Sequence, residues 1–388
     1  MKPKRMRELY YITHIENISS ILEHGILSHE RIENERVKYT PIYDEGIITN
    51  RRGRSVPSGK SLWSFANLYF QPRNPMLYRV IHEKSISDIA ILGVRPDILK
   101  GSEVFISSGN AASLSSEIFP SSKIKEVYQQ IRNDLNKEWW TDVDGSKRRI
   151  MAECLVPNLV EQEYIEIIYV ANHDIVNKVK ELIPQSTLPV VPEPSLFFQP
   201  IRKNDLTKHL SIVEGDLFFS GMQTLTISVN TVGVMGKGLA SRAKYQFPDV
   251  YVFYQDLCRN KILKMGKPYL YKRESSFEYH LSDEPSTLSN NNSETWFLLF
   301  PTKQHWKKRA DINGIEEGLQ WLRDNYKRDD IKSLAIPALG CGLGWLDWRA
   351  VGPLLYKYLS TFDIKVWVYL PVEKKVPDEL ITKEFLQE

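Results

Sequence analysis

Residues LYYIT (9–13) alternate in strand fashion, and Asn17, ISSILEH and Gly25 follow with the signals of an N-capped helix and a glycine stop. The chain is thus predicted to open as strand, helix and turn. Further strands are predicted at LYF (68–70), LYRVI (77–81), IMAECLV (150–156) and YIEIIYV (164–170), with helices near 123–135 and 173–182. Residues 184–200 hold five prolines in seventeen positions, which opposes helix and central strand alike and predicts a semi-rigid connector. Beyond it the rhythm changes. TLTISVNTV, TWFLLF, SLAIPAL and IKVWVYL read as strands, while GKGLASRAKYQF, DVYVFYQDLCRN, INGIEEGLQWLRDNY and WRAVGPLLYKYL read as helices. That alternation predicts an α/β layered sheet. The polar run 274–294 predicts a surface insertion.

With 388 residues the chain exceeds the usual size of one core. The expected organisation is a domain over 1–186, a proline-rich linker over 187–206 and a second domain over 207–388. Strands outnumber helices in the first half, so its expected class is α+β. The second is expected to be α/β, a mixed sheet flanked by helices. Hydrophobic residues at 42% and charged residues at 26% exclude general disorder. No run approaches the length of a membrane span, and the basic start MKPKRMRELYYITHI lacks the apolar core of an export signal. A cytoplasmic protein without membrane contact is expected. Cys154, Cys258 and Cys341 show neither Cys-x-x-Cys nor histidines at metal spacing, so neither disulfides nor a metal site is expected. The net charge of +3 hides an uneven distribution: residues 51–100 carry nine Lys/Arg against three acids, whereas 151–200 carry two against seven. Arg51, Arg52 and Arg54 form a basic loop followed at once by Trp63, Phe65, Tyr69 and Phe70. Cations for phosphates beside aromatics for bases suit single-stranded nucleic acid, and a mobile loop before core aromatics is the alternative.

Four blocks in the second half carry chemistry: GDLF (215–218), SVNTVGVMGKGLA (228–240), FPTKQHW (300–306) and PALGCGLGWLDW (337–348). A strand ending at Asn230 leads through Gly233, Gly236 and Gly238 into a helix whose free N–H groups suit a phosphate. Gly340, Gly342 and Gly344 form a second such loop, and together the two suit a diphosphate. Asp216 is either an acceptor for an adenine amino group or a helix cap.

These blocks resemble macrodomains over roughly residues 208–372, and among them the DarG antitoxin family, which removes ADP-ribose from DNA. The resemblance implies that ADP-ribose is bound by Gly215, Asp216 and Leu217, by Asn230 and Gly233, Val234, Met235, Gly236, Lys237 and Gly238, by Pro301 and Thr302, and by Gly340, Cys341, Gly342, Leu343 and Gly344. It also implies that Lys303 is catalytic. A partly desolvated lysine could attack the anomeric carbon as a free amine, and a surface lysine touching phosphate is the other reading. Related human hydrolases carry an acid in the second glycine loop; Gly344 stands at that place here, with Asp347 three residues on.

In the first half, YYITHIENISSILEHGIL (10–27), SFANLYFQPRNPMLYRV (64–80) and KRRIMAECLVP (147–157) resemble the DarT family of DNA ADP-ribosyltransferases. The resemblance covers residues 7 to about 185. It implies an ADP-ribosyltransferase-like fold, NAD+ as substrate, Arg73 and Glu153 as catalytic residues, and NAD+ contacts from Thr13, His14, Asn17 and Arg73. Glu153 interrupts an apolar strand on the face of Met151 and Leu155, an expensive place for an unpaired carboxylate. Such a group can stabilise the positive charge that develops on ribose as nicotinamide leaves, and can deprotonate the attacking base.

The expected whole is a toxin and antidote in one chain. The first domain transfers ADP-ribose from NAD+ to a base of single-stranded DNA, with Arg51, Arg52 and Arg54 on the DNA, and the macrodomain removes it. The two domains are expected to work as an intramolecular pair. The alternative is a transferase of RNA or protein joined to a macrodomain that only reads ADP-ribose. Because the sequence runs little past its last predicted strand, inhibition by a further toxin-binding domain is not expected.

Overall fold

The computed structural model describes residues 6–43, 50–276, 278–283 and 294–387. The chain divides into two compact units. The first comprises Met1–Phe198 with Glu278–Ser289, the second Gln199–Phe277 with Asn290–Glu388.

Among the described residues the first unit has ten short strands: β1 (Leu9–His14), β2 (Ile26–Leu27), β3 (Phe65–Tyr69), β4 (Ile89–Val94), β5 (Phe105–Ser107), β6 (Ile118–Pro120), β7 (Glu153–Pro157), β8 (Leu159–Val160), β9 (Ile165–Val170) and β10 (Val190–Pro192). Eight form one sheet in the order β10-β9-β4-β1-β3-β7-β5-β6, while β2 and β8 pair separately. All neighbours in the large sheet are antiparallel except β10, which runs parallel to β9. The IAILGV of β4 is buried at every position, as suits a central strand. β3 and β7 bring Tyr69 opposite Glu153, at the end of one strand and the start of the other.

Two expectations change here. LYRVI is not a strand: Pro75–Glu83 is a helix. Pro75 occupies its first turn and the Asn74 side chain accepts from Leu77 N at 3.0 Å, so local capping overrides the β-rich composition. The proline-rich stretch expected as a semi-rigid linker over 187–206 carries short elements of its own. β10 joins the edge of the first sheet, where proline costs no interior ladder bond, and Pro194–Phe197 forms a 3-10 turn. The units then meet in sequence at Phe198 and Gln199.

The second unit holds β11 (Arg202–Asp205), β12 (Leu210–Glu214), β13 (Thr224–Asn230), β14 (Tyr269–Tyr271), β15 (Trp296–Lys303), β16 (Ser333–Pro337) and β17 (Lys365–Tyr369). Their order is β11-β12-β17-β16-β13-β15-β14. The five inner strands are parallel and the two edges antiparallel, which is the expected mixed sheet. β13 and β15 are buried along nearly their whole length, the mark of a parallel strand covered on both faces. The helices Gly238–Gln246, Pro248–Arg259, Ile312–Asn325 and Trp348–Leu359 stand where the sequence pattern sets them.

The expected surface insertion behaves otherwise. Residues 278–283 lie in sequence between β14 and β15, yet they pack within the first unit. Leu281 and Ser282 are fully buried, and the Trp140 indole donates to Leu281 O at 3.0 Å. No helix among the described residues is long and apolar enough to cross a membrane.

Candidate active sites for attaching and removing a ligand

Glu153 begins β7 and is 1% exposed. Its Oε1 accepts from Ala111 N at 2.9 Å and its Oε2 from Arg51 Nη1 at 2.9 Å. Its own N–H donates to Ser107 Oγ at 2.9 Å. The carboxylate is therefore fixed by two stretches distant in sequence, and the Glu153 backbone by a further contact to Ser107. Arg51 is itself buried. Burial works against its charge, and the Glu153 carboxylate, with Tyr69 beside it, more than offsets this and holds the guanidinium above its ordinary range.

This pairing corrects one expectation. Arg51 was expected in a solvated DNA-binding loop, but it lies inside the fold as the cation of Glu153. Arg73, expected as a catalytic and NAD+-contacting residue, has its guanidinium over the Phe198 ring at 4.8 Å, while its backbone N–H donates to Gln71 Oε1. The other two basic residues diverge. Arg52 is exposed, lies 4.5 Å over the Trp63 ring and pairs with Glu33, and His29 stacks on the same indole at 4.3 Å. Arg54 is bound to Ser116 O, and its partial burial lowers its pKa.

At the end of β1, His14 Nδ1 accepts from Glu16 N at 3.3 Å and so caps the turn Ile15–Asn17. Thr13 is buried, with its hydroxyl accepting from Asn17 Nδ2. Asn17 makes no helix cap, contrary to expectation. Its amide clasps the backbone of Thr40, accepting from Thr40 N at 2.7 Å and donating to Thr40 O at 2.8 Å.

In the second unit, Asn230 ends β13 and shapes the loop after it. Its Oδ1 accepts from Val232 N, Val234 N and the Tyr254 hydroxyl, and its Nδ2 donates to Val234 O at 2.6 Å. Gly233 and Gly238 have φ of 80° and 58°, a left-handed region that side chains resist. The helix Gly238–Gln246 starts at Lys237 with no side-chain cap, which leaves first-turn N–H groups for an anion. The second loop, after β16, turns at Gly340 with φ of 74°. The two loops face each other: Leu343 Cδ1 lies 3.2 Å from where a Cβ on Gly238 would stand. Lys303, at the end of β15, donates to Leu343 O at 3.0 Å, and partial burial lowers its pKa. In these blocks Val234 and Leu343 are exposed, while Leu217, Met235, Thr302 and Cys341 are buried. Burial pushes the Cys341 thiol up to about 12, so it is inert.

Asp216 realises the cap reading, since its Oδ1 accepts from Phe218 N at 3.1 Å; its Oδ2 meanwhile pairs with Arg242 at 2.6 Å. An acid at position 344 is sterically excluded, because its Cβ would lie 2.5 Å from Gly340 O. Asp347 caps the helix Trp348–Leu359. The carboxylate that does approach the loops is Glu373, whose Oε2 is 2.7 Å from the Cβ position of Gly342. Sequence reasoning missed it because it follows β17, far from any glycine motif.

Comparison with known proteins gives these two sites a context. Residues 10–198 match the family described as ssDNA thymidine ADP-ribosyltransferase, DarT. A protein of Thermosipho africanus, described as a DNA ADP-ribosyl transferase-DNA ADP-ribosyl glycohydrolase fusion protein, is 54% identical over 98% of both chains. The solved structure of Thermosipho africanus DarTG in complex with ADP-ribose superposes with a TM-score of 0.94 at 53% identity, covering 98% of this chain and 100% of that one. A DNA ADP-ribosyl glycohydrolase of Thermus aquaticus is 34% identical over 42% of each chain. The chain belongs to the DarT–DarG fusion family, enzymes that join a DNA ADP-ribosyltransferase and a DNA ADP-ribosyl glycohydrolase in one polypeptide.

Proposed function

We propose that the first unit transfers ADP-ribose from NAD+ to thymidine in single-stranded DNA, and that the second removes it with Lys303 as nucleophile. The observation that carries the first half is the buried carboxylate of Glu153, held by Arg51 and the Ala111 N–H. The bond between ribose C1″ and nicotinamide breaks, and a bond from C1″ to the base nitrogen forms. Thymine N3 is the ring nitrogen that bears a proton in the nucleoside, and Glu153 accepts that proton. Nicotinamide leaves as the neutral base. Arg51 fixes the carboxylate and adds donors for NAD+ phosphate or the acceptor base, while Thr13, His14 and Asn17 form the strand end beside the NAD+ ribose. Arg52, supported on Trp63 and paired with Glu33 at the surface, is exposed and would exchange that carboxylate for a DNA phosphate.

In the second unit the facing glycine loops hold the diphosphate of ADP-ribose. Lys303, whose partial burial favours the free amine, attacks C1″ of the modified nucleotide. The base departs with a proton, the opened ribose is held as an imine, and water releases it. The alternative of a macrodomain that only reads ADP-ribose predicts binding without release. No membrane partner is proposed, and the reaction suits the cytoplasm, where NAD+ and DNA meet.

The test uses single-stranded thymidine oligonucleotides and NAD+. Lys303→Ala is expected to accumulate more labelled DNA than the wild type, and a further Glu153→Ala change to abolish labelling. Equal accumulation with and without Lys303 would leave the reader alternative standing.

A further inference from the structure

Arg79 has a fully buried side chain on the helix Pro75–Glu83, an unusual place for a guanidinium. It pairs with Glu83 one turn on, through Nη1 at 2.6 Å, and with Asp283 through Nε at 2.8 Å. The second partner comes from 204 residues away in sequence, out of the segment between β14 and β15. That segment is anchored twice more in the first unit, by the buried Leu281 side chain and by the bond from the Trp140 indole to Leu281 O.

The position of this anchor matters. The helix bearing Arg79 follows β3 after a five-residue turn, in which Asn74 caps the helix and also donates to Gln71 O at 3.0 Å. The last residue of β3 is Tyr69, buried and paired across the sheet with Glu153. Burial raises the Tyr69 phenol, Glu153 and Asp283 push the same way, and Arg51 and Arg79 oppose them, so this ring senses both ion pairs. A shift of the Arg79 helix moves the strand end that faces the proton acceptor.

We propose that residues 278–283 are a working part of the transferase, a strap supplied by the chain of the macrodomain, and that Asp283 is a positioning residue. Through Arg79 it fixes the helix Pro75–Glu83 and the end of β3 against the Arg51–Glu153 pair. The family match to residues 10–198 therefore stops short of a complete transferase. The writer of the modification borrows a clip from a stretch of chain that precedes Lys303 of the eraser.

The proposal rests on the transferase reading above and is tested in the full chain by initial rates of nicotinamide release with NAD+ and single-stranded DNA, which the macrodomain does not reverse. Asp283→Ala is expected to lower kcat about tenfold or more, the scale of a small displacement of a reacting group, with the KM for NAD+ within about twofold of wild type. ADP-ribose affinity of the second unit is expected to stay unchanged, and Asp283→Glu to restore most of the rate. If Asp283→Ala does not fold, Asp283→Asn carries the test, since it keeps an acceptor for Arg79 Nε and removes the charge; an intermediate kcat is expected. A wild-type kcat in the folded alanine variant, or in the asparagine variant, overturns the proposal. The wild-type chain run alongside tests the transferase reading separately, because absence of nicotinamide release there sinks that reading and not the clip.

Discussion

Replacing Arg51 with alanine leaves the buried Glu153 carboxylate with the Ala111 N–H and no cation. Stripping one partner from a buried ion pair costs about 3–5 kcal/mol, and here it also loosens the group proposed to accept the proton. Arg51→Ala is expected to abolish nicotinamide release, whereas Arg73→Ala, which removes a stack on Phe198, leaves both oxygens of Glu153 partnered and lowers the rate far less. Rates for the two variants check the assignment, and the reverse ranking would return the role to Arg73. His29 offers a pH test nearby. Burial first, then Arg51, lowers its pKa from 6.5 to about 4; Glu33 pulls the other way and Arg52 adds a smaller push down. The folded state thus resists a proton that the unfolded chain takes up at 6.5, so this contribution is complete above pH 6.5 and lost as pH falls towards 4. The span corresponds to about 3 kcal/mol. His29→Gln is expected to flatten the fall in Tm between neutral and acidic pH relative to wild type; parallel curves would refute it. Glu153 was legible in the sequence because a carboxylate on an apolar strand face demands a partner. Which arginine answers was not, since that contact spans 102 positions and burial is set by the whole sheet.

Elements with a clean period were readable from the sequence, and those decided by their ends were not. The helices at 124–135 and 173–182 follow apolar spacing, and the latter has Asn172 accepting from Ile175 N as its cap. The helix Pro75–Glu83 defeats periodicity, because LYRVI reads equally as a strand and the deciding residues are Asn74 and Pro75 before it. Asn74→Ala is accordingly expected to cost about 1 kcal/mol or more, since the side chain is buried and serves both Leu77 N and Gln71 O. Urea unfolding followed by a probe in the first unit measures it, and an unchanged midpoint would show that Pro75 alone starts the helix. In the second unit the glycine loops were legible as a pair because each lies between a strand and a helix. Glu373 was invisible, since an exposed glutamate after a final strand carries no pattern at all.

At the scale of the molecule, proline content suggested where one unit ends, but the polarity of 274–294 hid the fact that part of it folds elsewhere. Polar composition describes the solvated residues of a segment and says nothing of a few anchors such as Leu281 and Asp283. A consequence follows for any attempt to separate the two activities. A chain cut after Phe198 retains every described strand of the first sheet, yet Arg79 loses Asp283 while keeping Glu83, and Trp140 loses the carbonyl of Leu281. A buried guanidinium half deprived of its counter-charge, with an indole N–H left to find water, costs about 3 kcal/mol or more. For a unit of this size that amounts to a fall in Tm of roughly 6 °C or more. The isolated fragment 1–198 is therefore expected to unfold below the first transition of the full chain in calorimetry. The full chain with Asp283→Ala should lie between the two, because it keeps the Leu281 anchor. Coincident transitions for fragment and full chain would mean that the strap rests on a unit already complete, and the tether alone would then link writing to erasing through proximity.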